Sequence, residues 1–244
     1  MTRPIAAWPL VLTALLLSAQ AHAVPAVIPW IWDGGQWPRG GVDEAAVVVD
    51  DVLLRGATMT LHPGSRRGDK PAALRVTPVV HVEMSQREPP QEPERFHDAI
   101  RDLVLFAATR STSGWVQLDL EARPSQRVFY QTLVRDLHQR LGGRVRLSVT
   151  ALAWWCGSRD WLDPAALPAD EVVPMFFRMG REAARYRDML VREPGRLDPR
   201  CRGAAIGSST AEPLSPAALA PYTRRYVFNG RRPWPATYVS RSIP

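Results

Sequence analysis

Apolar residues recur along the chain in short runs separated by longer amphipathic stretches. Eight of the runs have the length and β-branched content of strands. They cover residues 27–32, 45–54, 74–84, 115–122, 146–155, 171–179, 204–209 and 225–229. The fourth run alternates most cleanly: Val116, Leu118 and Leu120 make one apolar face, and Trp115, Gln117, Asp119 and Glu121 make the other. Side chains two apart on a strand project the same way, which sets Asp119 and Glu121 roughly 7 Å apart at their backbones. Glu121 then stands at the C-terminal end of its strand, with Asp119 one layer deeper.

Helical patterns fill several of the gaps. Over 92–109, Phe96, Ile100, Leu103, Val104 and Ala107 fall on one face, and over 124–141, Phe129, Leu133, Leu137 and Leu141 repeat every four residues. The second pattern has Pro124 in its first turn and Gly142-Gly143 just past its end, the usual punctuation of a helix. A shorter helix is expected over 181–191. Strands alternating with helices imply parallel pairing, because parallel neighbours need a crossover connection. The prediction is an α/β fold, a compact (β/α)8 TIM-type barrel with some helices shortened, formed as a single domain by residues 24–244. The alternative, an open doubly wound sheet, is disfavoured because no glycine-rich phosphate loop follows the first strand.

The first 23 residues do not fit this pattern. Arg3, an apolar core over 9–18 and the small-x-small sequence Ala21-His22-Ala23 predict a signal peptide cleaved before Val24, and hence an exported protein, periplasmic or secreted. The rival reading is a retained membrane anchor, for which the apolar run is short. No transmembrane anchor is expected after cleavage. Removing the leader leaves 30 basic and 24 acidic residues, a net charge of +6. Lys70 is the only lysine, and the arginines are scattered, with Arg66-Arg67, Arg224-Arg225 and Arg231-Arg232 the only tight pairs. No basic helix or aromatic-interleaved stripe emerges, so nucleic acid is not an expected partner. Loose attraction to anionic envelope polymers is compatible with the charge. Cys156 and Cys201 are expected to form a disulfide in an oxidising compartment. Two sulfurs without paired histidines make a structural zinc site a poor fit, and no metal or cofactor is expected. Nothing in the sequence points to an oligomeric state.

In a barrel of this type the working groups sit at the C-terminal strand ends. Those ends supply Trp32 and Asp33, His81 and Glu83, Asp119 and Glu121, Trp154 and Trp155, Phe177 and Arg178, Ser208, and Asn229. Acids among tryptophans point to a carbohydrate. Glycosidic cleavage needs one carboxylic acid to protonate the leaving oxygen and a second group to handle the developing positive charge. Two neighbouring acids repel, which raises one pKa and keeps that group protonated. Glu121 is the candidate acid, Asp119 the group that holds and orients it, and Glu83 or Asp33 a completing carboxylate. Trp32, Trp154 and Trp155 are candidate sugar platforms; His81, Gln117, Arg178 and Asn229 are candidate hydrogen-bonding partners. Each has a plainer alternative. The acids can be a polar layer neutralised by Arg178, His81 and Glu83 can be a hydrogen-bonded pair or a metal half-site, and one of Trp154 and Trp155 can be core.

The triplet Asp119-Leu120-Glu121 is similar to the Asp-x-Glu of chitinase-like barrels and to the acidic pair of barrel lysozymes that cut cell-wall glycan. The chitinase-like resemblance implies that Glu121 is the general acid and that Asp119 positions the substrate's own acetamido group as nucleophile. That family carries a further Asp two residues earlier, where this chain has Gln117. A wider set of segments, 117–122, 147–153 with Trp155-Cys156, and 172–180, resembles an uncharacterised bacterial family, domain of unknown function 3142. That resemblance implies the barrel but no reaction; the family usually has an Asp where this chain has Glu121.

Three functions fit: an exported glycoside hydrolase acting on an envelope or environmental glycan, a glycan-binding protein without turnover whose ligand is a polysaccharide or peptidoglycan, and a structural envelope protein. The discriminator is geometric. Asp119 and Glu121 opening into a cleft lined by Trp32 or Trp154 favours the first two, and burial of both acids against Arg178 without a cleft favours the third.

Overall fold

Eight parallel strands close into a barrel in the computed structural model, which describes residues 26–38, 41–65, 68–158, 161–230 and Trp234. The expected leader, its cleavage site, and the pairs Arg66-Arg67 and Arg231-Arg232 lie outside the described residues. In chain order the strands are β1 (Ala26–Ile31), β2 (Glu44–Arg55), β3 (Thr58–Pro63), β4 (Arg75–Met84), β5 (Trp115–Leu120), β6 (Arg146–Leu152), β7 (Glu171–Met175), β8 (Ala205–Ser209) and β9 (Arg224–Phe228). The sheet order is β1-β9-β8-β7-β6-β5-β4-β2, and β1 pairs in parallel with β2 to complete the circle. β3 is a ninth strand, hydrogen-bonded antiparallel to β2 outside the circle.

The helices form where the periodicity predicts them. α1 (His97–Thr109) joins β4 to β5, and α2 (Arg127–Leu141) joins β5 to β6. On α2, Phe129, Leu133, Leu137 and Leu141 are all buried, and Gly142 ends the helix in the left-handed conformation at φ 57°. Fully burying a leucine such as Leu133 or Leu137 contributes about 1.5–3 kcal/mol. They pack on the outward-facing residues of β5, Val116, Leu118 and Leu120, within one continuous core. α4 (Ala183–Arg192) follows β7, whereas α3 (Ala153–Cys156) and α5 (Pro216–Leu219) are single turns. Among the described residues no helix stands between β1 and β2, and the β3 hairpin takes the place of one between β2 and β4. Among the described residues no helix is long and apolar enough to cross a membrane.

The inward faces fill the barrel in layers. At the N-terminal end the guanidinium of Arg224 bridges Glu171 (2.9 Å) and Glu44 (3.0 Å), and its cationic face lies 5.0 Å from the ring of Trp115. Tyr226 donates to Glu171 at 2.8 Å, and Ser148 donates to the same carboxylate oxygen at 2.8 Å. Gln117 continues the chain by donating to Ser148 (3.0 Å) and accepting from the indole of Trp30 (2.8 Å). Buried charge is tolerable only when paired and hydrogen-bonded, and this network supplies both conditions.

The ends of three runs and one extra strand differ from the sequence expectation; β5 stops at Leu120, two residues short of its expected bound. The fifth run ends at Leu152 rather than continuing to Trp155, and the chain turns into α3. That turn delivers Cys156 to a disulfide with Cys201, with 5.8 Å between their Cα atoms. It also stacks Trp155 on Trp161 at 4.3 Å. The sixth run ends at Met175, four residues short of its expected bound. β3 was not expected at all: its residues are largely exposed, so burial leaves little apolar signature on them.

Candidate active site

Side chains from six strands, β4 to β9, and from the segments just beyond strand ends meet in one cavity at the C-terminal mouth of the barrel. Its volume is about 800 Å³, and its walls include Trp32, His81, Glu83, Asp119, Glu121, Trp154, Phe177 and Arg178. Alternation on β5 puts Gln117 and Asp119 on one inward column, and Glu121, the first residue past the strand, lines the same cavity, so depth along the barrel sorts their roles. Gln117 is fully buried in the network below, Asp119 forms part of the cavity base, and Glu121 stands at the rim.

Asp119 is held through both oxygens. Thr150 donates its hydroxyl to Oδ1 at 2.6 Å, and His81 Nδ1 lies 2.9 Å from Oδ2. A carboxylate can only accept, so Nδ1 is the protonated nitrogen of His81. Strand register explains the pairing, since His81 on β4 stands directly beside Asp119 on β5. Burial by itself lowers the His81 pKa. The hydrogen bond to Asp119 and the charges of Asp119, Asp51 and Glu121 more than offset it, and the net shift is upward. Trp32 packs edge-on against the imidazole with centroids 4.9 Å apart.

Glu121 has the opposite character. Its outer flank is open to solvent, but the cavity walls desolvate its carboxyl, and this raises its pKa; the charges of Asp119 and Glu83 add to the rise, while His81 and Arg178 oppose it. Upward is the direction a general acid requires. Glu83 follows Val82, and Glu121 follows Leu120, in a register where Val82 pairs with Leu120. The two rim carboxyls therefore occupy adjacent strand positions.

The aromatic walls come from several elements. Trp154 projects from α3 into the cavity and meets Trp161 edge-on at 5.0 Å. Phe177 and Phe228 pack together at 4.7 Å, and Phe228 stacks on Trp30. Arg178 is exposed on the rim with φ 55°, the one positive φ of a non-glycine residue among the described residues. Its backbone N–H donates to Glu212 at 3.0 Å. A side chain in the left-handed region costs on the order of 1–2 kcal/mol, so surrounding contacts must hold this bend.

The structure therefore brings Trp32, His81, Glu83, Asp119, Glu121, Trp154 and Arg178 to one cavity. It does not bring the other expected residues there. Gln117 is committed to Trp30 and Ser148 inside the barrel. Trp155 is fully buried beside Tyr130 and Trp161, on the outward side where Leu147, Val149 and Ala151 of β6 also pack. Asp33 accepts from the backbone and hydroxyl of Ser65 and so ties the loop after β1 to the end of the β3 hairpin. Asn229 is buried outside the cavity lining and accepts from Thr210 at 2.6 Å. Two contributors were not expected. Thr150 was hidden within an apolar run, and Asp51 is turned towards His81 by a bulge between Val48 and Asp50. Without the extra residue, Asp50 would hold the inward position; bulges re-aim side chains in this way.

No family model matches the chain, and no curated protein matches it. Among solved structures, the spore cortex-lytic enzyme SleL of Bacillus megaterium QM B1551 superposes with a TM-score of 0.47 at 14% identity. SleL of Bacillus cereus superposes with a TM-score of 0.45, also at 14% identity. Each alignment covers 76% of this chain and 51% of the SleL chain, so the chain spans about half the length of those structures. At this level of likeness no residue role or substrate is carried across.

Proposed function

We propose that the protein is an exported glycoside hydrolase that cleaves an envelope or environmental glycan, with Glu121 as general acid and Asp119 as the group that orients the reacting centre. One observation carries this reading: a carboxyl with a raised pKa stands in an open, aromatic-walled cavity beside a second acid pinned through both oxygens. Trp32 and Trp154 offer flat apolar faces to sugar rings, and the cavity is large enough for a small part of a glycan chain. Glu121 gives its proton to the leaving glycosidic oxygen. Asp119, held between Thr150 and His81, presents a fixed negative charge to the centre where positive charge develops. Burial of the carboxyl and the Asp119 charge favour the protonated form of Glu121, and Glu83, whose strand neighbour Val82 pairs with Leu120, adds to them.

The predicted leader and the Cys156–Cys201 disulfide together support an oxidising, exported setting. The segments resembling domain of unknown function 3142 agree with the barrel, and we infer kinship with that family from them. A purely structural role fits less well, because Asp119 and Glu121 open into a cavity lined by Trp32 and Trp154 rather than closing on Arg178.

A second reading, glycan binding without turnover, draws on Gln117. Where the chitinase-like pattern has an acid, this chain has a neutral amide committed to Trp30 and Ser148, with no proton to give or take. The test is release of soluble products from peptidoglycan, chitin-type and β-glucan polymers by the wild type and by Glu121→Gln. Loss of a general acid costs about 10²–10⁴-fold in rate. Release that disappears in a folded variant supports the hydrolase with Glu121 as its acid. Binding of a polymer with no release from any of them supports the second reading.

A further inference from the structure

The cavity is bounded on one side by strands much longer than the rest. β2 pairs with β1 only at Ala46 and Val47, yet it runs on to Arg55, and β4 runs with it to Met84. From Val48 to Arg55 the extension is about 25 Å of chain at a strand rise of ~3.3 Å per residue. β3 widens it by pairing antiparallel with β2.

The two faces of this projection differ. Val52, Leu54, Val82 and Met84 point outward and are buried in the core that contains α1. The barrel-facing side adjoins the cavity wall through β4. His81 and Glu83 line the cavity, their register partners on β2 are Asp51 and Leu53, and the partners of those on β3 are His62 and Thr60. Thr60 and His62 are exposed, and Leu53 is partly so. The result is a strip of two adjacent rows, His81–Asp51–His62 and Glu83–Leu53–Thr60, that leads sideways from the cavity wall across β2 to β3 and carries hydroxyl, imidazole, carboxylate and a single apolar side chain. Asp33 secures the end of the β3 hairpin by accepting from the backbone and hydroxyl of Ser65, and Gly34 adds a backbone bond to the same residue at 3.0 Å.

We propose that the substrate cleft continues along this side of the β2–β3 hairpin, and that Leu53, Thr60 and His62 bind further units of the same glycan chain. The inference rests on the glycan reading above and makes the substrate a polymer rather than a di- or trisaccharide. The occupant follows from continuity. A chain with one end in the cavity, leaving past Glu83, meets this strip next, and alternating polar groups with one apolar contact suit a hydroxyl-bearing ring.

The test is calorimetric binding of N-acetylglucosamine oligomers of two to six units, and of glycan strands from peptidoglycan, in the Glu121→Gln background so that nothing is consumed. Two or three added hydrogen bonds and an apolar contact should make the longest oligomers bind about tenfold or more tightly than the disaccharide. Thr60→Ala/His62→Ala changes only exposed side chains. It should remove most of that advantage while leaving disaccharide affinity unchanged. In a parallel measurement the Leu53 methyl resonances should shift with the hexamer and not with the dimer. Equal affinity at every length, a double variant that binds the hexamer as the parent does, or a silent Leu53 methyl overturns the extended cleft while the glycan reading stands. Absence of binding by every oligomer and strand removes the glycan reading, and the extension with it.

Discussion

Replacing Asp119 with Asn tests the centre of the site, because it keeps the shape and removes the charge. Asp119 is 5% exposed and accepts from Thr150 at 2.6 Å and from His81 at 2.9 Å. An Asn has one acceptor oxygen, so one of those donors must face an amide NH2. Loss of one buried charge-assisted hydrogen bond costs about 1.5–3 kcal/mol. The second effect is on His81. Its folded pKa is raised above 6.5 despite burial, chiefly by the Asp119 hydrogen bond and charge. In Asp119→Asn burial dominates, and the His81 pKa should fall below its ordinary value. Because the folded pKa lies above the unfolded one, the charged pair stabilises fully below the unfolded value, and that part is lost as pH rises through the folded pKa. The difference in unfolding free energy between wild type and variant should therefore be larger at about pH 5.5 than at about pH 8.5. NMR titration of the imidazole protons, assigned with His81→Gln, together with urea unfolding at both pH values, measures both effects. A wild-type His81 that titrates at or below 6.5, or an unchanged midpoint in the variant, would refute the pairing and the role assigned to Asp119.

Three further outcomes are expected. Arg224→Met strands Glu44 and Glu171 inside the barrel and should cost about 3–5 kcal/mol in urea unfolding, whereas adding Glu44→Gln and Glu171→Gln should restore much of the loss. Cys156→Ser/Cys201→Ser releases a closure spanning 45 residues and should lower stability by about 3–4 kcal/mol in the chain-entropy model, read from the shift in denaturation midpoint. Glu83→Gln removes one of the charges that raise Glu121, so the alkaline limb of the pH–rate profile should move to lower pH; a limb that stays in place would assign that limb to another group.

Much of the architecture was written in local pattern. β5 declared both of its faces, since a strand with Val116, Leu118 and Leu120 on one side and Gln117, Asp119 and Glu121 on the other can bury only the first against helices. α2 declared its buried side through Phe129, Leu133, Leu137 and Leu141, and its end through Gly142. Period and punctuation are properties of neighbouring residues, so they survive without knowledge of the fold. The acidic column at the strand end was legible for the same reason.

What tertiary structure decided was which side chains meet, because that depends on register between strands and on where a strand stops. Alternation sets Trp154 and Trp155 on opposite faces, but which of them reaches the cavity follows from closure of the barrel, which turns Ser148 and Thr150 of β6 inward and Trp154 with them. Gln117 lies two residues from Asp119, but its depth and the chance to bond Trp30 and Ser148 make it part of the filling. Asp51 reaches the inward face through one inserted residue in β2, and Asp119 finds Thr150 and His81 on two different strands. Sequence by itself determined the period of each element and the acids at one strand end. Only closure of the barrel, which brings residues far apart in the chain within hydrogen-bonding distance, decided which of those acids is held, which stands at the rim, and which aromatics face them.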